Sequence, residues 1–230
     1  MNFIITGASR GLGKAFAKFA SQFGGTIGLV ATNQKKLKDL ANELSGCNVI
    51  TYVCDFTEPT SVEALVKELQ SDFPKIDVII NNVGYFEMGI LDDATMENVD
   101  KMLNINFKSA FSVTQGFLSV FKKQKDGLIV NIGSIVTENP KKDFAAAYTI
   151  SKFALQGYTK ILCDELKDFG VKVTEIIPGS INTSSWDEIE APKEDFVQPK
   201  DIVSATEMIM NASHGANFEQ IIVRPTNRNF

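Results

Sequence analysis

Two side chains in this sequence are spaced so that a proton could be managed between them. Tyr148-Thr149-Ile150-Ser151-Lys152 sets a phenol and an ammonium at i and i+4, on one face of a helix. A tyrosine near its free pKa of about 10 is a poor proton shuttle at neutral pH, but a nearby ammonium favours the phenolate and lowers that pKa. A Tyr-x3-Lys pair also occurs in ordinary amphipathic helices, so its force comes from position. Upstream, Asn131-Ile132-Gly133-Ser134 follows an apolar run and ends in a hydroxyl. A hydroxyl donor, a phenol and an ammonium together suit acid–base chemistry at an oxygen whose charge changes during reaction.

A second set of residues could hold phosphate. Thr6-Gly7-Ala8-Ser9-Arg10-Gly11-Leu12-Gly13 joins the first apolar run to a helical pattern. Glycines at a strand-to-helix turn let the backbone approach a pyrophosphate, and the helix N-terminus supplies free N–H groups. A tight turn that merely needs positive φ would also use glycine. The flanking strand and helix are the context that the phosphate-binding reading requires.

The elements that must position these groups follow from periodicity. Strand-like runs recur at Phe3–Thr6, Thr26–Ala31, Val49–Cys54, Val78–Asn81, Leu128–Ile132, Val171–Ile177 and Gln220–Val223. Helical patterns lie at Gly11–Phe23, Gln34–Leu44, Ser61–Asp72 and Ala145–Phe169, and Met96–Phe121 reads as one bent helix or two abutting ones. Most strand runs are continuously apolar, as in a parallel sheet covered on both faces. The expected fold is α/β: a single Rossmann-type doubly wound parallel sheet of about seven strands with helices on both faces. No linker or repeat divides residues 1–230, so one domain is expected.

Composition excludes several classes. The 230 residues carry a net charge of −5, which favours neither nucleic acid nor an anionic membrane surface. Cys47, Cys54 and Cys163 have no CxxC spacing and read as reduced thiols, and no metal-ligand cluster is expected. No apolar run approaches the ~20 residues of a membrane span, and the start lacks a signal peptide's basic flank, so a cytoplasmic location is expected.

The glycine spacing, Gly-x3-Gly-x-Gly, differs from the general dinucleotide fingerprint and resembles the TGxxxGxG turn of the short-chain dehydrogenase/reductase family. The resemblance continues in the family's order over nearly the whole chain. It implies that Gly7, Ser9, Arg10, Gly11, Leu12 and Gly13 hold a nicotinamide dinucleotide. Asp55, beside Phe56, is similar to the residue that bonds the adenine amino group; an Asx-type cap is its local alternative. Asn82, Val83 and Gly84 fall in a segment, Asn81-Asn82-Val83-Gly84, that resembles the family's NNAG. Pro178-Gly179-Ser180-Ile181-Asn182-Thr183 matches PGxxxT, which assigns Pro178, Ile181 and Thr183 to the nicotinamide end.

By the same resemblance Tyr148 is general acid in reduction and base in oxidation. Lys152 biases Tyr148 and holds the nicotinamide ribose hydroxyls, and Ser134 hydrogen-bonds the substrate oxygen. Asn106, in Leu103-Asn104-Ile105-Asn106-Phe107, completes a tetrad and holds a relay water; its structural alternative is a local helix bend. NADP(H) is expected over NAD(H), because the second strand ends Ala31-Thr32-Asn33 without a carboxylate to repel a 2′-phosphate. Arg10 could bond that phosphate, and with Thr32 it is similar to the family's NADP-preferring pattern.

Some stretches depart from the pattern. The segment Ile135–Ala147 is one residue longer than is common, with Pro140-Lys141-Lys142-Asp143 as the loop that absorbs it. Ser184–Gln198 should form a short acidic lid carrying Asp187, Glu188, Glu190, Glu194 and Asp195. Trp186 either caps the pocket or packs at a hinge, and His214 reads as a helix-end residue. The end of the chain lacks the Asp-Gly-Gly of many relatives; a homodimer or homotetramer is expected.

The favoured activity is NADPH-dependent reduction of a small carbonyl compound to an alcohol, resembling the 3-oxoacyl carrier-protein reductases. An NAD-dependent alcohol dehydrogenase and a catalytically silent NADP-binding sensor are the competing readings.

Overall fold

The computed structural model describes residues 1–140, 144–186 and 192–227. Within them runs a parallel sheet of seven strands, in the order β3-β2-β1-β4-β5-β6-β7. The strands are β1 Phe3–Thr6, β2 Thr26–Ala31, β3 Asn48–Val53, β4 Val78–Asn81, β5 Leu128–Ile132, β6 Lys172–Pro178 and β7 Gln220–Val223. The helices are α1 Gly11–Ala20, α2 Gln34–Glu43, α3 Pro59–Asp72, α4 Met96–Leu103, α5 Ser109–Gln124, α6 Ala146–Leu166 and α7 Pro199–Met210. This is the Rossmann-type arrangement expected from the continuously apolar runs.

Alternation along β1 shows why those runs are apolar throughout. Phe3 and Ile5 enter a layer with Phe16 of α1, Leu37 and Leu40 of α2, and Ile202 and Ile209 of α7. Ile4 between them enters the opposite layer, with Leu69 of α3, Phe117 and Phe121 of α5, and Leu162 of α6. Every residue of the central strands β1, β4 and β5 is buried, so neither face there tolerates polar side chains without a partner. Truncating a fully buried ring such as Phe117 to alanine would cost ~3–5 kcal/mol. β1 pairs with β2 on one side and β4 on the other. The connections therefore reverse direction between β1 and β4, and doubly wound sheets open a ligand crevice at that point, beyond the strands' carboxyl ends.

Several boundaries move from their sequence-based places. β3 begins one residue earlier than expected, at Asn48, which pairs with Thr26; β6 ends at Pro178, which pairs with Val223. α3 starts at Pro59, whose missing N–H costs nothing in a first turn. Ser61 is therefore inside the helix, where its Oγ accepts from the Asp55 N–H at 3.1 Å. The long middle segment is one continuous run: a π-helical turn, Asn104–Lys108, joins α4 to α5. Gly170 takes φ +69 after α6, the left-handed stop its position suggested. Among the described residues no helix is long and apolar enough to cross a membrane.

Candidate active site

The glycine turn and the Asn81–Gly84 segment are laced together where the sheet reverses. Gly7 and Gly11 take φ +67 and +53, in the left-handed region. At Gly13 an added Cβ would stand 2.1 Å from the Gly7 carbonyl oxygen, so only glycine lets α1 approach the turn this closely. Thr6 Oγ1 accepts from the N–H groups of Asn82 and Val83, each at 3.1 Å. Asn82 Nδ2 donates back to the carbonyls of Thr6 and Gly7, at 2.9 and 3.2 Å. α1 has no side-chain cap of its own, so its first-turn N–H groups, including those of Leu12 and Gly13, suit an anion. This donor set fits a pyrophosphate.

Beside that turn lies a cleft of about 460 Å³ lined by Ser9, Arg10, Gly11, Lys14, Lys36 and Ser184, among others. Lys14 pairs with Glu43 at 2.7 Å, whereas Lys36, one of a lysine pair that reads from sequence as a solvated helix face, adds a further amine to the cleft wall. Arg10 is exposed and donates from Nη1 to Ser184 Oγ at 2.8 Å. Thr32 is exposed just past β2, and Asn33 caps α2 by accepting from the Lys36 N–H at 2.9 Å. No carboxylate from this strand end lines the cleft, though Asp39 and Glu43 of α2 do.

Asp55 takes its local alternative. Its Oδ1 accepts from the Thr57 N–H at 2.9 Å and the Thr57 hydroxyl at 2.7 Å, and these bonds hold the carboxyl below its usual range. This is an Asx-type turn, with the exposed carboxylate still beyond the end of β3. Phe56 buries its ring in the core, which leaves its main chain to meet any ligand.

The four proton-chemistry candidates converge beyond β4 and β5. Asn106 sits in the π-helical turn and is 1% exposed. Its Oδ1 accepts from the Tyr85 N–H at 2.7 Å, while its Nδ2 donates to the Tyr85 carbonyl and to Ser151 Oγ, each at 2.9 Å. Ser151 in turn donates to the Tyr148 carbonyl at 2.7 Å. The insertion that makes this turn thus aims an amide at the helix carrying Tyr148, a use typical of π-bulges. A Cβ on Gly84 would stand 3.6 Å from Asn106 Oδ1 and 3.9 Å from Lys152 Nζ, so three segments meet at this point.

Ser134 lies close enough to Tyr148 to favour its ionised form, and Lys152 lies beneath, its Nζ 5.7 Å from the Tyr148 ring centre. Lys152 is 4% exposed and donates to the Ile132 carbonyl at 2.8 Å. Burial pushes its ammonium down to about 8, with Glu175 pulling the other way. Burial pushes the Tyr148 phenol up, and the Ser134 hydroxyl opposes that. The expected lowering of the phenol by Lys152 is not what the structure gives: burial outweighs it, and the phenol stands above its usual range.

The residues expected at the nicotinamide end follow β6. Pro178 closes β6, Ile181 bridges Val197, and the Asn182 N–H donates to the Val197 carbonyl at 2.8 Å. Thr183 is brought against the glycine turn, where a Cβ on Gly11 would lie 3.2 Å from its Cβ. Residues 187–191 of the expected lid, with Asp187, Glu188 and Glu190, and Lys141-Lys142-Asp143 of the expected loop lie outside the described residues. Trp186 packs edge-on against the buried Phe196 at 4.9 Å, a contact of the hinge kind. Phe86 stands 5.0 Å from the Tyr148 ring and 5.7 Å from that of Phe144, forming an aromatic wall. His214 is no helix cap: α7 ends at Met210, and the ring lies near Gly170.

Sequence reasoning gave no role to Ser151 or Lys36 and did not foresee the bonds of Thr6 or a buried amide ladder. Asn81 Nδ2 donates to Asn131 Oδ1 at 2.8 Å and to Thr114 Oγ1 at 3.0 Å, and Asn131 Nδ2 donates to Thr159 Oγ1 at 2.8 Å. An asparagine near the end of each of two neighbouring apolar strands was the available signal.

Comparison with known proteins agrees with this arrangement. A family model described as short chain dehydrogenase matches residues 2–194. An uncharacterised oxidoreductase of Staphylococcus epidermidis is 30% identical over 222 residues, 96% of each chain. A metagenomic short-chain oxidoreductase solved in complex with NADP superimposes with a TM-score of 0.84 at 27% identity, over 98% of this chain and 97% of that one. An alcohol dehydrogenase from the archaeon Thermococcus sibiricus, complexed with 5-hydroxy-NADP, gives 0.86 at 25% identity, over 98% and 96%.

Proposed function

The chain belongs to the short chain dehydrogenase family, and on that premise we propose that it is an NADPH-dependent reductase of a small carbonyl compound, with Tyr148 as the proton donor. The observation that carries this reading is the meeting of the Tyr148 and Ser134 side chains above the buried Lys152 amine, at the carboxyl edge of β5. When bound, the dihydronicotinamide supplies the hydride that the carbonyl carbon accepts. Tyr148 gives its proton to the carbonyl oxygen, and Ser134 hydrogen-bonds that oxygen as negative charge gathers there. Lys152 holds the nicotinamide ribose hydroxyls and offsets the charge left on the Tyr148 oxygen. Asn106 positions a relay water, as the family pattern implies.

Cofactor choice rests on the cleft beside the glycine turn. Arg10 and Lys36 offer cations for a 2′-phosphate, and Thr32 stands where an NAD-preferring chain would carry a repelling carboxylate. NADP is bound in the metagenomic relative and 5-hydroxy-NADP in the archaeal one. The same reading takes residues 1–230 as one domain, cytoplasmic, working as a homodimer or homotetramer. Phe111, Ile150, Phe153 and Ile161 stand exposed on α5 and α6 as an apolar surface a second copy would cover.

The test is a panel of aldehydes, ketones and 3-oxoacyl thioesters, followed by NADPH consumption and alcohol formation. Reduction of at least one class, with NADPH bound more tightly than NADH, is expected. Tighter NADH binding would overturn the roles of Arg10 and Thr32, and NADPH binding without reduction of any class would favour the silent sensor.

A further inference from the structure

One ionisable side chain behind the site has no part in the reading above. Glu175 lies in β6 with none of its surface exposed. Gln220 Nε2 donates to its Oε2 at 3.0 Å, but Oε1 has no hydrogen-bond partner among the described residues. The carboxyl lies across Gly133, where an added Cβ would stand 2.5 Å from Oε1. Gly133 directly follows Ile132, whose carbonyl takes the Lys152 ammonium, and directly precedes Ser134. Carboxyl and ammonium thus flank the same short stretch of β5 backbone.

An unpartnered carboxyl oxygen in a core is costly, and an aliphatic side chain would occupy β6 without that cost. A nearby buried cation offsets it. We propose that Glu175 is a positioning residue for the proton-transfer pair, the buried counter-charge that keeps Lys152 an ammonium beneath Tyr148. The catalytic half of this proposal rests on the reductase reading.

The surrounding charges agree. Lys152 and Lys160 of α6 stabilise the carboxylate, and Glu138, after β5, opposes it. Cys163 of α6 also faces Glu175, and Glu219, before β7, faces Cys163. Burial drives Glu175 up and Lys152 down to about 8, and each group resists the other's shift. Each charge therefore favours the other over the pH range in which both groups are ionised.

Titrating Lys152 by NMR with isotope-labelled lysine, its signal assigned through Lys152→Arg, tests this without turnover. Glu175→Gln is expected to lower the Lys152 titration by about one pH unit. Gln220→Leu, at an exposed position, removes the donor that favours the ionised carboxylate and is expected to lower it by less. The alkaline limb of kcat/KM should move the same way. An unmoved titration in both variants, even with a lower Tm, would overturn the proposal and leave Glu175 a packing residue. Should Glu175→Gln fail to fold, Gln220→Leu decides alone. A parent protein that reduces no carbonyl would sink the reductase reading, while the NMR titration would still decide the coupling.

Discussion

The floor of the candidate site is Asn106, Ser151 and Lys152, all buried, and hydrogen bonds tie Asn106 to Ser151 and Lys152 to the β5 backbone. At its mouth, Phe86 is 39% and Met88 62% exposed, and the Arg10 guanidinium is joined to Ser184 by a single surface bond. The floor is fixed before any ligand arrives, so its side chains lose little freedom on binding and hold the geometry that proton transfer needs. The mouth is free to adapt, and there cofactor and substrate preference can change without disturbing the fold. Substitutions at the floor should therefore reduce turnover with every substrate, whereas those at the mouth should alter affinity selectively.

The largest departure is expected for Lys152→Ala. Removing the ammonium should lower turnover by ~10²–10⁴ and weaken NADPH binding as well, measured by steady-state kinetics and fluorescence titration. Loss of neither would make the floor less essential than the mouth. The parent enzyme should show the same group through pH: with Lys152 near 8, it is cationic below that value and neutral above it. kcat/KM for NADPH, which reports the free enzyme, should fall as pH rises through about 8.

Arg10→Ala should sharpen the contrast from the other side. A charge-assisted bond to phosphate is worth ~1.5–3 kcal/mol, so calorimetry should show NADPH bound ~10- to 100-fold more weakly and NADH unchanged. Equal weakening of both cofactors would assign Arg10 to general packing. Ser151→Ala is expected to have the smallest effect on activity, lowering kcat ~10-fold while destabilising the fold by ~1–3 kcal/mol through the unpaired Asn106 amide. A change in KM alone would contradict its place at the floor.

Where a pattern is local, the sequence sufficed. The apolar run Thr26–Ala31 is a strand with those bounds, because each of its residues needs a helix above or below it. Tyr148 and Lys152 could be picked out as a pair on one helix face and Ser134 as a hydroxyl after an apolar run, whereas Asn106 was selected only by the resemblance to the family. What stayed hidden depends on segments far apart in the chain. Asn106 meets Ser151 across 45 residues, and Asn81 meets Asn131 across 50. Glu175 interrupts an apolar strand, yet only the fold shows which cation lies near it. Asp55 illustrates the reverse: its bonds to Thr57, two residues away, were legible as the local alternative and are the ones made.

The claim that the floor delivers a proton is tested most directly by single-turnover reduction with Tyr148→Phe. The ring can keep its place against Phe86 while the hydroxyl beside Ser134 is lost. NADPH affinity should stay within about twofold of the parent, and the rate of NADPH oxidation by a carbonyl substrate should fall by ~10³ or more. Oxidation at the parent rate would remove Tyr148 from the mechanism and the proposed activity with it.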